Sequence, residues 1–343
     1  MRFVCSCLAV WRASTPIAIA LMTMLGLTTA SQATELRIST LLPDGTAEVR
    51  ALRQASETIS AETEGRVSLR LYPGGIMGDD QAVTRRIRAG QLHGALVQTG
   101  ALTEQFRNSQ ILNAPFVFND YDEVEHVRSI FEPDIAEGLR QQGIHTFGFI
   151  DGGFAYIMSQ QPVRSVNDLQ QTRLWLPAND NFSLQVARSF NISPTILNIS
   201  EVLTSLQTGV VNAIASPPNA ALTLQWFTRV NYVTDMPLIY TYATLYLHQR
   251  HLSRLSEADQ AVVDRVLRQT TAQMDVNNRA NSQAAFDALI NQGLEKISLT
   301  DEEISVVRNN AQEAHRQLIQ QGEFSQEWLD RLLGSLAEYR QTQ

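Results

Sequence analysis

The stretch Asp168–Asn181, DLQQTRLWLPANDN, sets a guanidinium and an indole two residues apart. Its pattern predicts a short strand, Thr172 to Leu176, ended by Pro177 and followed by a helix start. Residues two apart on a strand share a face, so Arg173 and Trp175 project together, with Leu174 and Leu176 opposite. An indole supplies a wide apolar face and one N–H donor, and it can hold a cation at roughly 0.5–2 kcal/mol. Asp180, a few residues on, is placed either to neutralise an ammonium or to cap the next helix. Trp175 has the alternative of filling core volume, and Arg173, on the same face, of binding an anion.

Other groupings carry less chemistry. Gly74-Gly75-x-x-Gly78 lacks the Lys-Ser/Thr of a phosphate loop and reads as a turn. His248-x-x-His251 would grip a metal only with a third ligand, and the sequence supplies none nearby. Acidic pairs such as Asp79-Asp80 and Glu123-Glu125 suit helix N-termini. There is no G-x-S-x-G elbow and no H-E-x-x-H helix. These readings point away from an enzyme and imply neither cofactor nor metal.

The first residues look like an export signal. Arg2 and Arg12 precede the apolar run Ile17 to Leu27, and Ser31-Gln32-Ala33 offers small residues for cleavage after Ala33. The run is too short for a membrane span of roughly 20 residues. Cys5 and Cys7 would leave with it, so the mature chain relies on its core without disulfides. The net charge of -8 becomes -10 once Arg2 and Arg12 are removed. An acidic chain without basic runs argues against nucleic acid as a partner. A periplasmic location is expected.

Strand and helix patterns then alternate. LRISTL, RVSLRLYP, HGALVQ and IHTFGFI read as strands, separated by helices over 48–64, 79–89 and 122–142. The order implies a mostly parallel sheet with helices on both faces. It repeats after Gly152-Gly153, with FAYIMS, TRLWLP and VVNAIAS as strands and Gly209 as a helix C-cap. The fold class is therefore α/β with two similar lobes. The first is expected over 34–152 plus about 241–270, the second over 153–240 plus about 271–343 with the C-terminal helices. Ser256-x-x-Asp259 opens a helical pattern without proline to about Asn291, roughly 50 Å at 1.5 Å per residue, long enough to brace both lobes. Gly152-Gly153 and a second crossing near Tyr240 to His248 are the expected hinges. Ligands of such folds sit between lobes at strand carboxyl ends.

Four stretches resemble one family: LYPGGIMGDD, LNAPFVFNDYDEVEHV, QQPVRSVNDLQQTRLWLP and SPTILNISEVLTSLQTGVVNAIASPP. They are similar to the extracytoplasmic solute-binding subunit of tripartite ATP-independent periplasmic (TRAP) transporters, of the dicarboxylate-binding type. The resemblance runs in order over about Leu36 to Val263. It implies a two-lobed periplasmic-binding-protein fold with mixed sheets and a long bracing C-terminal helix. It also implies delivery of a small solute to a permease of two integral-membrane subunits.

At the positions that match the family's ligand residues, the chain departs from it. The arginine that normally pairs with a substrate carboxylate is Trp175, with Arg173 at a neighbouring lysine position. A second arginine position is Ala155, and the asparagine ligand position is Ser216. Burying a carboxylate without such a clamp costs several kcal/mol, order of magnitude. The resemblance places Gln98, Tyr156, Asn179, Asn198 and Asn219 near the pocket as neutral hydrogen-bonding groups. The expected solute is thus neutral, cationic or aromatic. The alternatives are an orphan or signalling module of the same fold, or a receptor that still takes an organic acid through Arg173.

Overall fold

The computed structural model describes residues 33–178 and 180–343. The expected export signal up to residue 32, and the expected ligand contact Asn179, lie outside the described residues. Thr34–Gln343 forms one compact unit.

The chain opens with β1 (Thr34–Thr40), α1 (Ala47–Glu62), β2 (Val67–Tyr72), α2 (Asp80–Arg88) and β3 (Gly94–Gln98). Thr46 and Asp79 start the two helices by accepting from backbone N–H groups three residues on. A short 3-10 segment, Arg107–Asn113, leads to α3 (Tyr121–Gln141) and to β4 (Ile144–Ser159). There follow α4 (Val166–Gln170), β5 (Leu174–Pro177), α5 (Asn181–Ser189), β6 (Thr195–Leu197), α6 (Val202–Thr208), β7 (Ala213–Ser216) and α7 (Pro218–Thr223). The chain ends with β8 (Tyr232–Thr234), β9 (Ile239–His248), α8 (Gln249–Leu252), α9 (Glu257–Asn291), β10 (Glu295–Ile297), α10 (Asp301–Gln321) and α11 (Gln326–Gln341).

The strands join in the order β2-β1-β3-β9-β4-β7-β5-β6, with β8 on β4 and β10 on β8. The outer pairs are parallel, whereas β3/β9, β9/β4 and β4/β7 are antiparallel. The sheet is therefore mixed, and the mostly parallel sheet expected from element order is corrected. The cause is that β4 and β9 are shared crossing strands and not members of βαβ units. Gly152-Gly153 likewise does not separate two strands. It lies inside the 16-residue β4, where the pairing with β9 slips between Asp151 and Gly153.

A large apolar cluster holding Phe131, Tyr240, Leu174 and Leu176 runs across both halves of the sheet, and two smaller ones mark the halves. Leu36, Ile38, Leu52, Ile59, Phe147 and Leu245 form one, and Met158, Trp175, Val202, Ile214 and Trp226 another. The 35-residue α9 supplies Val263 and Leu267 to the first and Leu289 to the second, so it braces both. Its start is the expected one, with Ser256 accepting from the Asp259 N–H. α10 lies on α4 and α5, and α11 lies on α3. The C-terminal helices thus pack on different partners, α10 on helices that follow β4 and α11 on the one that precedes it. Arg340 of α11 secures its side with a two-pronged pair to buried Glu123 of α3, at 2.7 Å for both contacts. Among the described residues no helix is long and apolar enough to cross a membrane.

Candidate functional site

Strand directions define a site between the halves. β3 ends at Gln98, pointing toward the second half, and β5 and β7 end at Pro177 and Ser216, pointing back toward the first. Register relates the two rims. Gln98 faces Ala243 of β9, which faces Ile150 of β4, and Tyr156 faces Ser216. The six residue steps of β4 between these levels span roughly 20 Å at 3.3 Å per residue. Carboxyl ends of strands leave backbone groups and loops free to meet a ligand, which makes this gap the candidate site.

Gln98 is exposed at its rim, and its backbone N–H donates to Asp80 Oδ2 at 3.3 Å. Asp80 is the first residue of α2 and is half-buried. Burial is the main cause that raises its carboxyl to about 6. The Gln98 hydrogen bond opposes this and the charge of Asp79 adds to it. By sequence Asp79 and Asp80 are both helix-end acids. The structure divides them: Asp79 is the cap, accepting from the Ala82 N–H at 2.7 Å, and Asp80 turns under the end of β3. The signal available was the doublet itself, since one cap needs only one carboxylate.

Trp175 is not an open platform. Its ring is 3% exposed, packs edge-on to Trp226 at 5.0 Å between centroids, and lies among Met158, Val202, Leu206 and Ile214. Its Nε1–H donates to the Leu197 carbonyl oxygen at 3.0 Å. Alternation along β5 holds as expected, with Leu174 and Leu176 in the cluster on the opposite face. Both faces of this strand are covered, and that is why a face shared with Arg173 does not become a ligand face. The reading of Trp175 as a stacking surface is therefore corrected to core packing in this conformation.

Arg173 lies exposed at the other end of β5. Its Nε–H donates to the Gly209 carbonyl oxygen at 2.9 Å, at the C-terminus of α6, and its backbone N–H donates to Asn212 Oδ1 at 2.7 Å. A guanidinium bound to a helix C-terminus is well placed for the helix dipole and badly placed for a solute at the far strand end. Anion capture by Arg173 is corrected accordingly. Ala155 is buried and pairs with Ile239 of β9.

The remaining expected contacts divide. Tyr156 is half-buried with its ring 4.8 Å from Phe286 of α9. Burial first, then the charge of Asp235, pushes its hydroxyl up to about 12. Ser216 is buried beside it and donates to the Pro217 carbonyl oxygen at 3.2 Å. Asn219 accepts from the Ala220 N–H at 2.7 Å. Asp180 caps α5 by accepting from the Ser183 N–H at 3.0 Å, and the counter-ion reading gives way to the cap. Asn198 is exposed in a capping box with Glu201. Tyr156, Ser216 and Trp175 are thus brought together on one side, Gln98 and Asp80 on the other, and Asp180, Asn198 and Arg173 are committed to local backbone.

The family model for "bacterial extracellular solute-binding protein, family 7" (DctP) matches residues 38–321. The chain is 24% identical over 256 residues to the sialic acid-binding periplasmic protein SiaP of Vibrio cholerae, covering 73% of this chain and 78% of that one. Its fold is like that of a TRAP periplasmic solute-binding protein from Ochrobactrum anthropi, with a TM-score of 0.78 at 18% identity, covering 91% of this chain and 98% of that chain. It is also like one from Haemophilus influenzae with bound L-gulonate, at 0.75 and 19%, covering 89% and 99%. With a two-lobed mixed sheet, a site at facing strand ends and a family match over most of its length, the chain belongs to the family 7 bacterial extracellular solute-binding proteins of TRAP type and is a solute-binding receptor.

Proposed function

We propose that this chain captures a small neutral or cationic solute in the periplasm, between its two lobes, and presents it to integral-membrane TRAP permease subunits. The observation that carries the solute class is the charge at the strand ends. Trp175 and Ala155, where the family resemblance calls for arginines, are buried and apolar, and the ionisable side chain at the end of β3 is the carboxyl of Asp80. A carboxylate repels an anionic solute and accepts hydrogen bonds from hydroxyl or ammonium groups. Gln98, exposed beside it, adds one amide donor and acceptor.

The relatives set the scale of the solute. One is named for sialic acid and another holds L-gulonate, each a polyhydroxylated acid. A polyol or amino-polyol of that size would keep the hydroxyl contacts and dispense with the carboxylate. Thermal shift of the mature protein against matched pairs, each an acid with its alcohol or amine counterpart, tests this. Ligand at 100 times its dissociation constant adds about 2.7 kcal/mol. Stabilisation by the alcohol or amine member supports the reading, and stabilisation by the acid alone removes it.

The sealing of Trp175 favours a second reading, an orphan or signalling module in which the clamp was dismantled and the space filled. No response to any pair, together with nothing co-purifying by native mass spectrometry, would favour it over transport.

A further inference from the structure

The middle of β4 carries a contact set that the solute site does not use. Three residues on one face of α9 reach a single residue, Asp151. Asp275 Oδ1 accepts from the Asp151 backbone N–H at 2.7 Å, Asn278 Nδ2 donates to the Asp151 carbonyl oxygen at 3.1 Å, and Ser282 Oγ donates to Asp151 Oδ1 at 3.3 Å. Spacings of three, four and seven are those of one helix face. Asp151 itself is 1% exposed, and the buried Tyr240 hydroxyl also bonds its carboxyl.

The surroundings are those of a pivot. Pairing between β4 and β9 slips on both sides of a short in-register stretch, Phe149–Asp151 against Thr244–Tyr242. Just beyond it, Gly153 has φ +84°, and a Cβ there would lie 2.9 Å from Ser282 Oγ. At Gly152 a Cβ would lie 2.9 Å from the Thr241 carbonyl oxygen. α3 joins the same level: Arg128 donates to Asp275 Oδ1 at 2.8 Å and to the Phe149 carbonyl oxygen at 3.3 Å, and it pairs with Glu132. The crossing strand is therefore held rigid by side chains up to Asp151 and left without side chains immediately after it.

We infer that Asp275, Asn278 and Ser282 form a clasp on Asp151 that fixes the pivot of interlobe rotation and so sets the balance between open and closed receptor from outside the cleft. This rests on the receptor reading for its purpose, but the clasp acts with or without solute.

The test needs no solute. Both native cysteines lie in the first seven residues, so a dye pair on Glu57→Cys in α1 and Gln207→Cys in α6 reports interlobe distance in the mature chain. Single-molecule energy transfer is recorded for the parent, Asn278→Ala, Ser282→Ala and Asp275→Asn, with Asn277→Ala on the exposed side of α9 as control. The clasp predicts at least a threefold change in the ratio of interlobe populations for the three clasp variants, and none for the control. Ser282→Ala removes one hydroxyl and keeps the readout available should Asp275→Asn fail to fold. Distributions that coincide with the parent for both Asn278→Ala and Ser282→Ala overturn the clasp. A solute-free shift with no response to any solute keeps the clasp and removes the proposed solute class instead.

Discussion

The indole N–H of Trp175 donates to the carbonyl oxygen of Leu197 at 3.0 Å, so β5 and the end of β6 are tied by the side chain that stands where relatives would be expected to carry an anion-binding arginine. That bond, and the edge-on contact with Trp226, turn a ligand position into part of the second lobe's core.

Trp175→Ala should cost about 3–5 kcal/mol in urea unfolding, the range for deleting a buried large aromatic. Trp175→Phe should cost less, with about 1 kcal/mol of it from losing the bond to the Leu197 carbonyl oxygen, which keeps the Ala178 N–H as donor. A loss below about 1 kcal/mol for the alanine variant would mean the ring is not core. Trp175→Arg with Ala155→Arg should destabilise the fold and leave acid binding absent, since a buried guanidinium without a partner costs several kcal/mol.

Asp80 gives a pH dependence of defined sign. Its folded-state value, raised to about 6 by burial, lies above the ordinary value of 3.8, so its neutral form is favoured by folding. The stability it contributes is complete below about pH 4 and is lost as pH rises through 6. Asp80→Asn should therefore stabilise the fold at pH 7.5 by on the order of 1 kcal/mol, read as a higher Tm than the parent, and not at pH 4. The same variant should weaken solute binding at least tenfold. Equal Tm differences at both pH values would contradict the burial of this carboxyl.

The stacked rings of His93 and His251, 4.1 Å apart, predict acid lability. Burial first, then neighbouring charges including Arg250 and Arg254, lowers both, His251 to about 4. Stability from their neutral forms is complete above the unfolded value near 6.5 and is lost as pH falls toward 4. His251→Phe should flatten the decline in Tm between pH 6.5 and 4.5. An unchanged slope would show that other groups govern it.

Gly153→Ala places a side chain at φ +84° and 2.9 Å from Ser282 Oγ, so it should destabilise by more than about 1 kcal/mol. Pairing it with Ser282→Gly should recover the steric part and not the backbone part. Full recovery in thermal unfolding would show that conformation at this glycine imposes no strain.

The fold was legible where a local rule sufficed. Ser256 and Asp259 announced the start of α9, Gly209 the end of α6, and the alternation of Leu174, Trp175 and Leu176 the strand β5. What escaped was pairing at long range. By local pattern Ile144–Ser159 is two strands, because Gly152-Gly153 is a strong local break, yet β9, about ninety residues later, pairs through it. The site was less legible for a related reason. Period-two patterning shows that Arg173 and Trp175 share a face, but not that α6 and Trp226 cover it. Asp80 was hidden by having an ordinary reason to exist at a helix start.

The central claim is that this receptor holds its solute without an anion clamp, and native mass spectrometry of the gently purified mature protein tests it most directly. The account predicts a retained small molecule, neutral or cationic and hydroxyl-bearing, that is lost from Asp80→Asn. A retained sugar acid or dicarboxylate that survives Asp80→Asn would contradict it.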